Sequence, residues 1–209
     1  MPLPNTTRTR RVFLLSPAST AGRRAAVLFN PDAGFDLARR LREHGAPIGE
    51  VFSFLSGLYF RGKLAYARRF AATPADVFVI TSSRGLVEPD LIVDLEDLQE
   101  LSGTPIDAAE PRYRRPLERD VRNLVEAGHE AVLLGSIASG KYVDIMLGAF
   151  GERLLFPAEF VGRGDMSRGG LMLRHVDLGA ELTYIPVAGA VRHGARPPKL
   201  VPRPRTASR

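Results

Sequence analysis

The chain contains no cysteine. That excludes disulfides, thiolate metal sites and a cysteine nucleophile, and it leads to the expectation of a cytoplasmic protein. Long apolar runs are missing as well. None approaches the roughly 18 residues needed to cross a bilayer, so no membrane association is expected. The opening "MPLPNTTRTRRVFLLSPAST" turns from basic to apolar, but "VFLL" is far too short for the hydrophobic region of a signal peptide. It reads as a tail leading into a first strand. Histidines stand at 44, 129, 175 and 193, without metal-ligand spacing and without a Ser–His–Asp pattern, so neither a metal nor a cofactor is expected. Lysine is scarce too. It occurs at 63, 141 and 199, and every other basic residue is Arg. In so Arg-dominated a chain, Lys63 and Lys141 hint at places where an amine is required.

What is present suits one globular domain. The 209 residues are 44% hydrophobic and 25% charged, ordinary values for a chain long enough to bury a core without staples. A net charge of +6 favours an anionic partner such as nucleic acid. Much of that charge sits in "TRTRR" and "RPRTASR", which leaves the body nearly neutral. The organisation expected is a basic tail over 1–11, a single domain over 12–190 and a Pro/Arg-rich tail over 191–209. That last tail reads as a solvated segment, with a basic arm touching nucleic acid as the alternative.

Between the tails, apolar runs alternate with helical patterns. "VFLLS" (12–16), "DVFVITSS" (76–83), "AVLLGS" (131–136), "RLLFP" (153–157) and "ELTYIPV" (181–187) read as strands. "GFDLARRLREHG" (34–45), "RGKLAYARRFAA" (61–72), "PLERDVRNLVEAGHE" (116–130), "GKYVDIMLGAF" (140–150) and "DMSRGGLMLRHV" (165–176) read as helices. "EVFSFLSGLYF" (50–60) alternates partly and reads as a strand or strand-to-turn passage. The expected fold is α/β: a mixed, largely parallel sheet covered by helices.

In such sheets ligands bind beyond the carboxyl ends of the strands. Polar loops follow four of them here: "SPAST", "TSSRGLVEPD", "GSIASGKY" and "AEFVGRGDMSRGG". Their hydroxyls, glycines and arginines suit one anion-accepting pocket. The third loop has the spacing of a P-loop, Gly135, four residues, then Gly140 and Lys141. A P-loop needs a short hydroxyl next, to hold Mg²⁺. This chain has Tyr142, which projects a bulky ring instead. The segment that would supply a second carboxylate, "LIVDLED", reads as a loop and helix start.

Taken together, the loops resemble the YaaA family of peroxide-stress proteins and related bacterial domains. "FLLSPAST" resembles the family's opening strand and S-P-A-K-T turn, with Ser19 in place of the Lys. "SFLSGLYFRGK" is similar to its G-x-x-Y-x-G-L segment, through Gly57, Tyr59 and Gly62 at changed spacing. "VITSSRGLVEPD" resembles S-G-L-Y-G-x-L-x-P-x-D, keeping Ser82, Gly85, Leu86, Pro89 and Asp90. "LLGSIASGKYVDIM" resembles N-L-A-S-x-E-Y-x-K, with Ser139 and Tyr142 matching its Ser-x-x-Tyr. "GRGDMSRGGLMLR" resembles A-R-G-L-M-S-R-F, keeping Arg163, Gly164, Met166, Ser167 and Arg168. The resemblance implies a mixed α/β fold around a charged cleft, DNA association and protection against oxidative damage, without a defined reaction. The family's helix-hairpin-helix-like DNA-binding region is not visible in "FNPDAGFDLARRLREHGAP", so DNA binding carries over least.

The expected site follows. Arg163 and Arg168 hold phosphate, and Tyr59 and Tyr142 stack on a base. Ser16, Ser82 and Ser139 bond to the base edge, and Asp90 or Asp165 serves as acid or base. Ser19, Thr20, Lys63, Arg84, Gly135, Lys141 and Ser167 complete the binding set. Blander roles stand beside these: Ser19 and Thr20 as helix caps, Tyr142 packed on the sheet, Arg163 and Arg168 in salt bridges. The function expected is binding of a nucleic acid, nucleotide or nucleobase in a strand-end cleft, with action on a base or glycosidic bond in DNA-damage or oxidative-stress protection. A non-catalytic nucleic-acid binder and a P-loop-like phosphotransferase are the alternatives.

Overall fold

The computed structural model describes residues 10–138 and 140–200. The N-terminal Arg8 and the C-terminal Arg203, Arg205 and Arg209 lie outside them, as does Ser139, one of the expected binding residues. β1 (Arg11–Leu15) is the centre of the sheet. It pairs in parallel with β3 (Val77–Ile80) on one side and β6 (Glu130–Leu134) on the other. β6 pairs in parallel with β7 (Leu154–Pro157). Two short antiparallel strands close the edges: β4 (Leu86–Val87) beside β3, and β8 (Tyr184–Pro186) beside β7. The order is β4-β3-β1-β6-β7-β8, the mixed and largely parallel sheet expected. A separate two-residue ladder joins β2 (Ala46–Pro47) to β5 (Ile92–Val93).

After their first residues, Arg11 and Glu130, β1 and β6 are apolar and buried throughout. Successive side chains point to opposite faces, so both faces are covered. Phe13 meets Tyr66 edge to face. That face is therefore covered by α4 (Leu58–Phe70), which packs on α8 (Asp165–Leu178) and on α3 (Ile48–Ser56). A second helix pair, α6 (Pro111–Glu126) and α7 (Gly140–Phe150), packs together and buries Tyr113, Leu117, Val121, Val143 and Met146. Each large apolar side chain so buried contributes about 1.5–3 kcal/mol. The remaining helices are α1 (Arg23–Phe29), α2 (Asp36–Glu43) and α5 (Leu95–Ser102). None among the described residues is long and apolar enough to cross a membrane.

Two elements differ from expectation. Residues 50–60 are helical, not a strand. The buried set Ile48, Val51, Phe52 and Leu55 follows i, i+3, i+4, i+7, which is helical spacing. Gly57, at φ +63°, breaks the chain into α3 and α4. α6 starts five residues before the expected Pro116. Pro111 takes its first turn, where a missing N–H costs nothing, and the Glu110 carboxylate accepts the Arg112 N–H at 3.0 Å.

Of the expected tails, residues 10–11 and 191–200 fall within the described residues. The Arg10 Nε donates to buried Asp76 at 2.5 Å, and Arg11 bonds Glu130 and Glu181 at 2.8 and 3.1 Å. Residues 191–200 lack regular structure but are held down. Arg192 reaches Asp144, the Pro198 carbonyl accepts from Arg163, and Leu200 packs on the core.

Candidate functional site

In chain order the parallel strands are β1, β3, β6 and β7, yet β3 and β6 flank β1 on opposite sides. The winding therefore reverses between β1 and β6. At such a reversal the two strand-end loops part, and a crevice opens beyond the carboxyl ends. The structure has a cleft of about 650 Å³ there. Its walls are Ser16 to Ala21 after β1, Ser136, Lys141 and Tyr142 after β6, Leu55, Ser56 and Tyr59 at the α3–α4 junction, residues 102 and 104–106, and Asp165 at the start of α8.

The cleft floor is set by a close helix crossing. An added Cβ at Gly62 would come within 2.6 Å of the Gly169 carbonyl, and one at Gly169 within 2.6 Å of the Leu58 carbonyl. Only two glycines let the backbones of α4 and α8 approach so closely. The approach brings Tyr59 and Lys63 of α4 beside Arg168 of α8.

Lys63 is fully buried. Its Nζ donates to the Ser16 carbonyl at 2.5 Å and lies 3.0 Å from the Ser16 Oγ. The rings of Tyr59 and Phe60 lie 4.4 and 4.7 Å from it. No carboxylate bonds to it among the described residues. Burial lowers its pKa to about 7, against a small opposing pull from Asp165. Tyr59 is 6% exposed, and its hydroxyl has no hydrogen-bond partner among the described residues. Burial pushes that phenol well above its usual range. Arg168 of α8 is the neighbour that opposes this rise, so the hydroxyl sits at the α4–α8 contact behind the cleft wall.

Tyr142 is also buried against the cleft. Its hydroxyl donates to the Ser136 carbonyl at 3.0 Å, and burial raises its pKa. The phenol packs against the turn after β6, its hydroxyl 3.0 Å from where a Cβ on Gly135 would stand, whereas a P-loop carries a short hydroxyl side chain at this position. Lys141, on the first turn of α7, is exposed on the cleft rim and has no partner among the described residues.

Of the expected binding residues, Ser16, Ser19, Thr20, Tyr59, Lys141 and Tyr142 line this one cleft, with Lys63 and Gly135 directly beneath it. Gly135 is packed on Ser16 and Tyr142. Asp165, one of the two expected acid/base residues, sits on the rim at 66% exposure, 3.5 Å from Arg168. Arg168 is only 11% exposed, and its guanidinium bonds the Phe160 carbonyl from two nitrogens.

Others are elsewhere. Arg163 and Ser167 do not line the cleft; Arg163 bonds the Glu159 and Pro198 carbonyls and the Ser167 hydroxyl. Arg84 pairs with Asp97 and Glu100 at 2.5 Å. Asp90, the other expected acid/base residue, is an exposed partner of Arg68. Ser82 is buried, and its hydroxyl donates to the Leu101 carbonyl at 2.5 Å. It anchors the segment that does reach the cleft, Ser102 to Ile106. That segment follows a helix, not a strand, so strand-end reasoning passes over it. The Ser102 hydroxyl donates to the Thr20 carbonyl at 3.2 Å and joins the two walls.

A shallower depression of about 840 Å³ borders the cleft across Ser56. Phe35 and Phe54 are stacked there at 5.3 Å, with Arg24 and Arg61 beside them. In comparisons with known proteins, no protein-family model, no curated protein and no solved structure matches this chain. The functional reading therefore rests on the cleft.

Proposed function

We propose that this is a cytoplasmic protein of YaaA-like type that binds a nucleotide, a nucleobase or the end of a single nucleic-acid strand in the switch-point cleft, and acts there on the bound group in DNA-damage or oxidative-stress protection. The observation that carries the reading is the cleft itself, about 650 Å³ at the reversal of the strand order, with hydroxyl side chains and Lys141 on its walls. Tyr59 and Tyr142 offer ring surfaces for a planar group. The hydroxyls of Ser16, Ser19, Thr20 and Thr104 offer bonds to its edge. Lys141, without a counter-charge among the described residues and standing on the first turn of α7, suits phosphate. About 650 Å³ is the size of a small-molecule site. A strand leaving across Ser56 would meet Phe35, Phe54, Arg24 and Arg61.

Purely electrostatic binding is less well supported. Arg8, Arg203, Arg205 and Arg209 account for four of the six net charges, and Arg10, Arg11, Arg40, Arg84, Arg112, Arg114 and Arg119 are all ion-paired.

The test is titration of the full chain with AMP, dAMP, free adenine and guanine, and a single-stranded DNA 12-mer, followed by thermal shift and amide NMR. Saturable binding to at least one is expected, with shifts at residues 16–20, 102–106 and 136–142. It should weaken in Tyr59→Phe and, for the phosphorylated ligands, in Lys141→Ala. Binding to none of them, or binding that both variants retain in full, overturns the proposal.

A further inference from the structure

Ser16 occupies an unusual position. It is the first residue after β1, its N–H still bonds the Leu134 carbonyl at 3.3 Å, and its side chain turns to the cleft floor. There the Oγ stands between two functional groups. Lys63 Nζ lies 3.0 Å away on one side. On the other stands the Tyr142 hydroxyl, which donates to the Ser136 carbonyl at 3.0 Å and has the Ser16 side chain as its neighbour. Gly135 leaves the room for this, since a Cβ there would lie 3.1 Å from the Ser16 Oγ and 3.0 Å from the Tyr142 hydroxyl.

The proton between Lys63 and Ser16 can run in two directions. In one, Lys63 donates to Ser16. In the other, Ser16 donates to the lone pair of a neutral Lys63, which keeps its N–H on the Ser16 carbonyl. The second needs an uncharged amine. Full burial with no bonded carboxylate among the described residues favours that form, against the pull of the Tyr59 and Phe60 ring faces on a charged amine. It leaves the serine oxygen hydrogen-bonded to a base, the arrangement of an activated nucleophile.

We infer that Ser16, Lys63 and Tyr142 form a serine–lysine nucleophile, in which the Ser16 Oγ attacks the carbonyl carbon of an ester-type acyl compound held in the cleft. The inference rests on the reading of this cleft as a ligand site, and not on which ligand fills it. As the Oγ–C bond forms, the Oγ proton passes to Lys63 Nζ. The carbonyl π electrons move to oxygen, where the backbone N–H groups of Ala18, Ser19 and Thr20 have no other acceptor among the described residues. The C–O bond to the leaving alcohol then breaks, and Lys63 returns the proton to that alcohol. Water next attacks the acyl-serine, gives its proton to Lys63, and releases the acid as the Oγ recovers the proton. The sum is ester plus water to acid plus alcohol, with no other reactant.

The pH dependence is set by what faces the amine. Tyr59 and Phe60 of its own helix, Ser16 after β1, and Asp165 and Arg168 of α8 face it. Burial is the largest influence on it, with Asp165 and Arg168 opposing each other, so the base becomes available as pH rises through about 7.

The probe is a rhodamine-tagged fluorophosphonate, which loses fluoride when an activated serine attacks phosphorus. The full chain is labelled between pH 6 and 9, and the tagged peptide is mapped by mass spectrometry. Labelling on Ser16 is expected, with a rate that climbs through about pH 7. It should vanish in Ser16→Ala. It should fall about 100-fold or more in Lys63→Met, the usual scale for losing a general base, and less in Tyr142→Phe. Circular dichroism checks that each variant is folded. Should Lys63→Met fail to fold, the wild-type pH profile and Tyr142→Phe decide.

No label on Ser16 in the folded chain overturns the inference. So does a label whose rate is flat across this range, or one that Lys63→Met leaves unchanged. Labelling that persists when no nucleotide binds would remove the proposed ligand and leave the nucleophile, while nucleotide binding without labelling would do the reverse.

Discussion

Gly62 of α4 and Gly169 of α8 meet backbone to backbone, and no Cβ fits at either. The neighbours that a new methyl would strike are carbonyl and Cα atoms, which cannot swing aside as a side chain does. Gly62→Ala or Gly169→Ala should therefore push the helices apart and lower stability by about 1–3 kcal/mol, the usual cost of overpacking. Ligand binding should weaken with it, because Tyr59, Lys63 and Arg168 flank the contact. Gly148→Ala is the control. It lies in α7 with nothing within 4 Å of the new Cβ, and replacing a helical Gly by Ala should stabilise by about 0.5–1 kcal/mol. Urea denaturation of the three variants measures all of this; equal behaviour would show that the crossing is not tight.

The buried lysine gives stability a pH dependence whose sign is fixed. Lys63 has a folded pKa lowered to about 7, while the unfolded chain keeps the ordinary value near 10.4. Between those values the unfolded state binds the extra proton and the folded state does not. Stability from this residue is thus lowest below about pH 7, where the folded state must bury a charge, and rises as pH climbs from about 7 to 9. The limiting slope is about 1.4 kcal/mol per pH unit. Lys63→Met should remove that slope. Thermal melts at pH 6, 7, 8 and 9 compare the two proteins, and parallel curves would mean that the amine titrates normally.

Much of this was legible in the sequence, for identifiable reasons. β1, β3, β6 and β7 are buried on both faces, so each is a continuous apolar run bounded by polar loops. α4, α7 and α8 each show apolar residues at helical spacing. Residues 50–60 misled because Phe52, Ser53 and Phe54 alternate, while Ile48, which completes the helical spacing, lies outside that window. The 82–90 loop misled for another reason. β4 turns back antiparallel on β3, and the Thr81 N–H and hydroxyl bond the Gly85 carbonyl at 2.9 and 3.0 Å. That hairpin sits at the sheet edge, one strand away from the winding reversal, so Arg84 and Asp90 face other partners. The contribution of Ser102 to Ile106 depends on a tertiary bond from Ser82 to Leu101, which no local pattern announces.

The surface placement of Asp90 and Arg84 makes a direct prediction. Asp90 is an exposed member of a pair with Arg68, and such pairs are worth about 0–1 kcal/mol. Asp90→Asn should leave stability within about 0.5 kcal/mol and ligand binding untouched. Arg84→Ala removes contacts to Asp97 and Glu100 and should cost about 1 kcal/mol or less, again without an effect on binding. Affinity for whichever nucleotide or base the cleft takes is the readout. A tenfold loss in either variant would mean that the 82–90 loop takes part in the site after all.

The two glycines of the P-loop-like spacing should behave differently from each other. In a working P-loop both glycines serve the backbone that wraps phosphate. Here a Cβ on Gly135 would come within 2.8 Å of the Ser16 Cβ and 3.0 Å of the Tyr142 hydroxyl, both fixed in the cleft floor. A Cβ on Gly140 would strike only the Asp144 carboxylate, the end of an exposed side chain whose partner is Arg192 at 3.3 Å. Gly135→Ala should therefore cost about 1–3 kcal/mol and displace Ser16 from Tyr142, with loss of ligand binding. Gly140→Ala should cost no more than a surface ion pair, about 0–1 kcal/mol, and leave the cleft intact. Denaturation and ligand titration of the two variants separate these outcomes. Equal loss of binding in both would return the 135–140 loop to a phosphate-wrapping role and make Tyr142 an incidental neighbour of it.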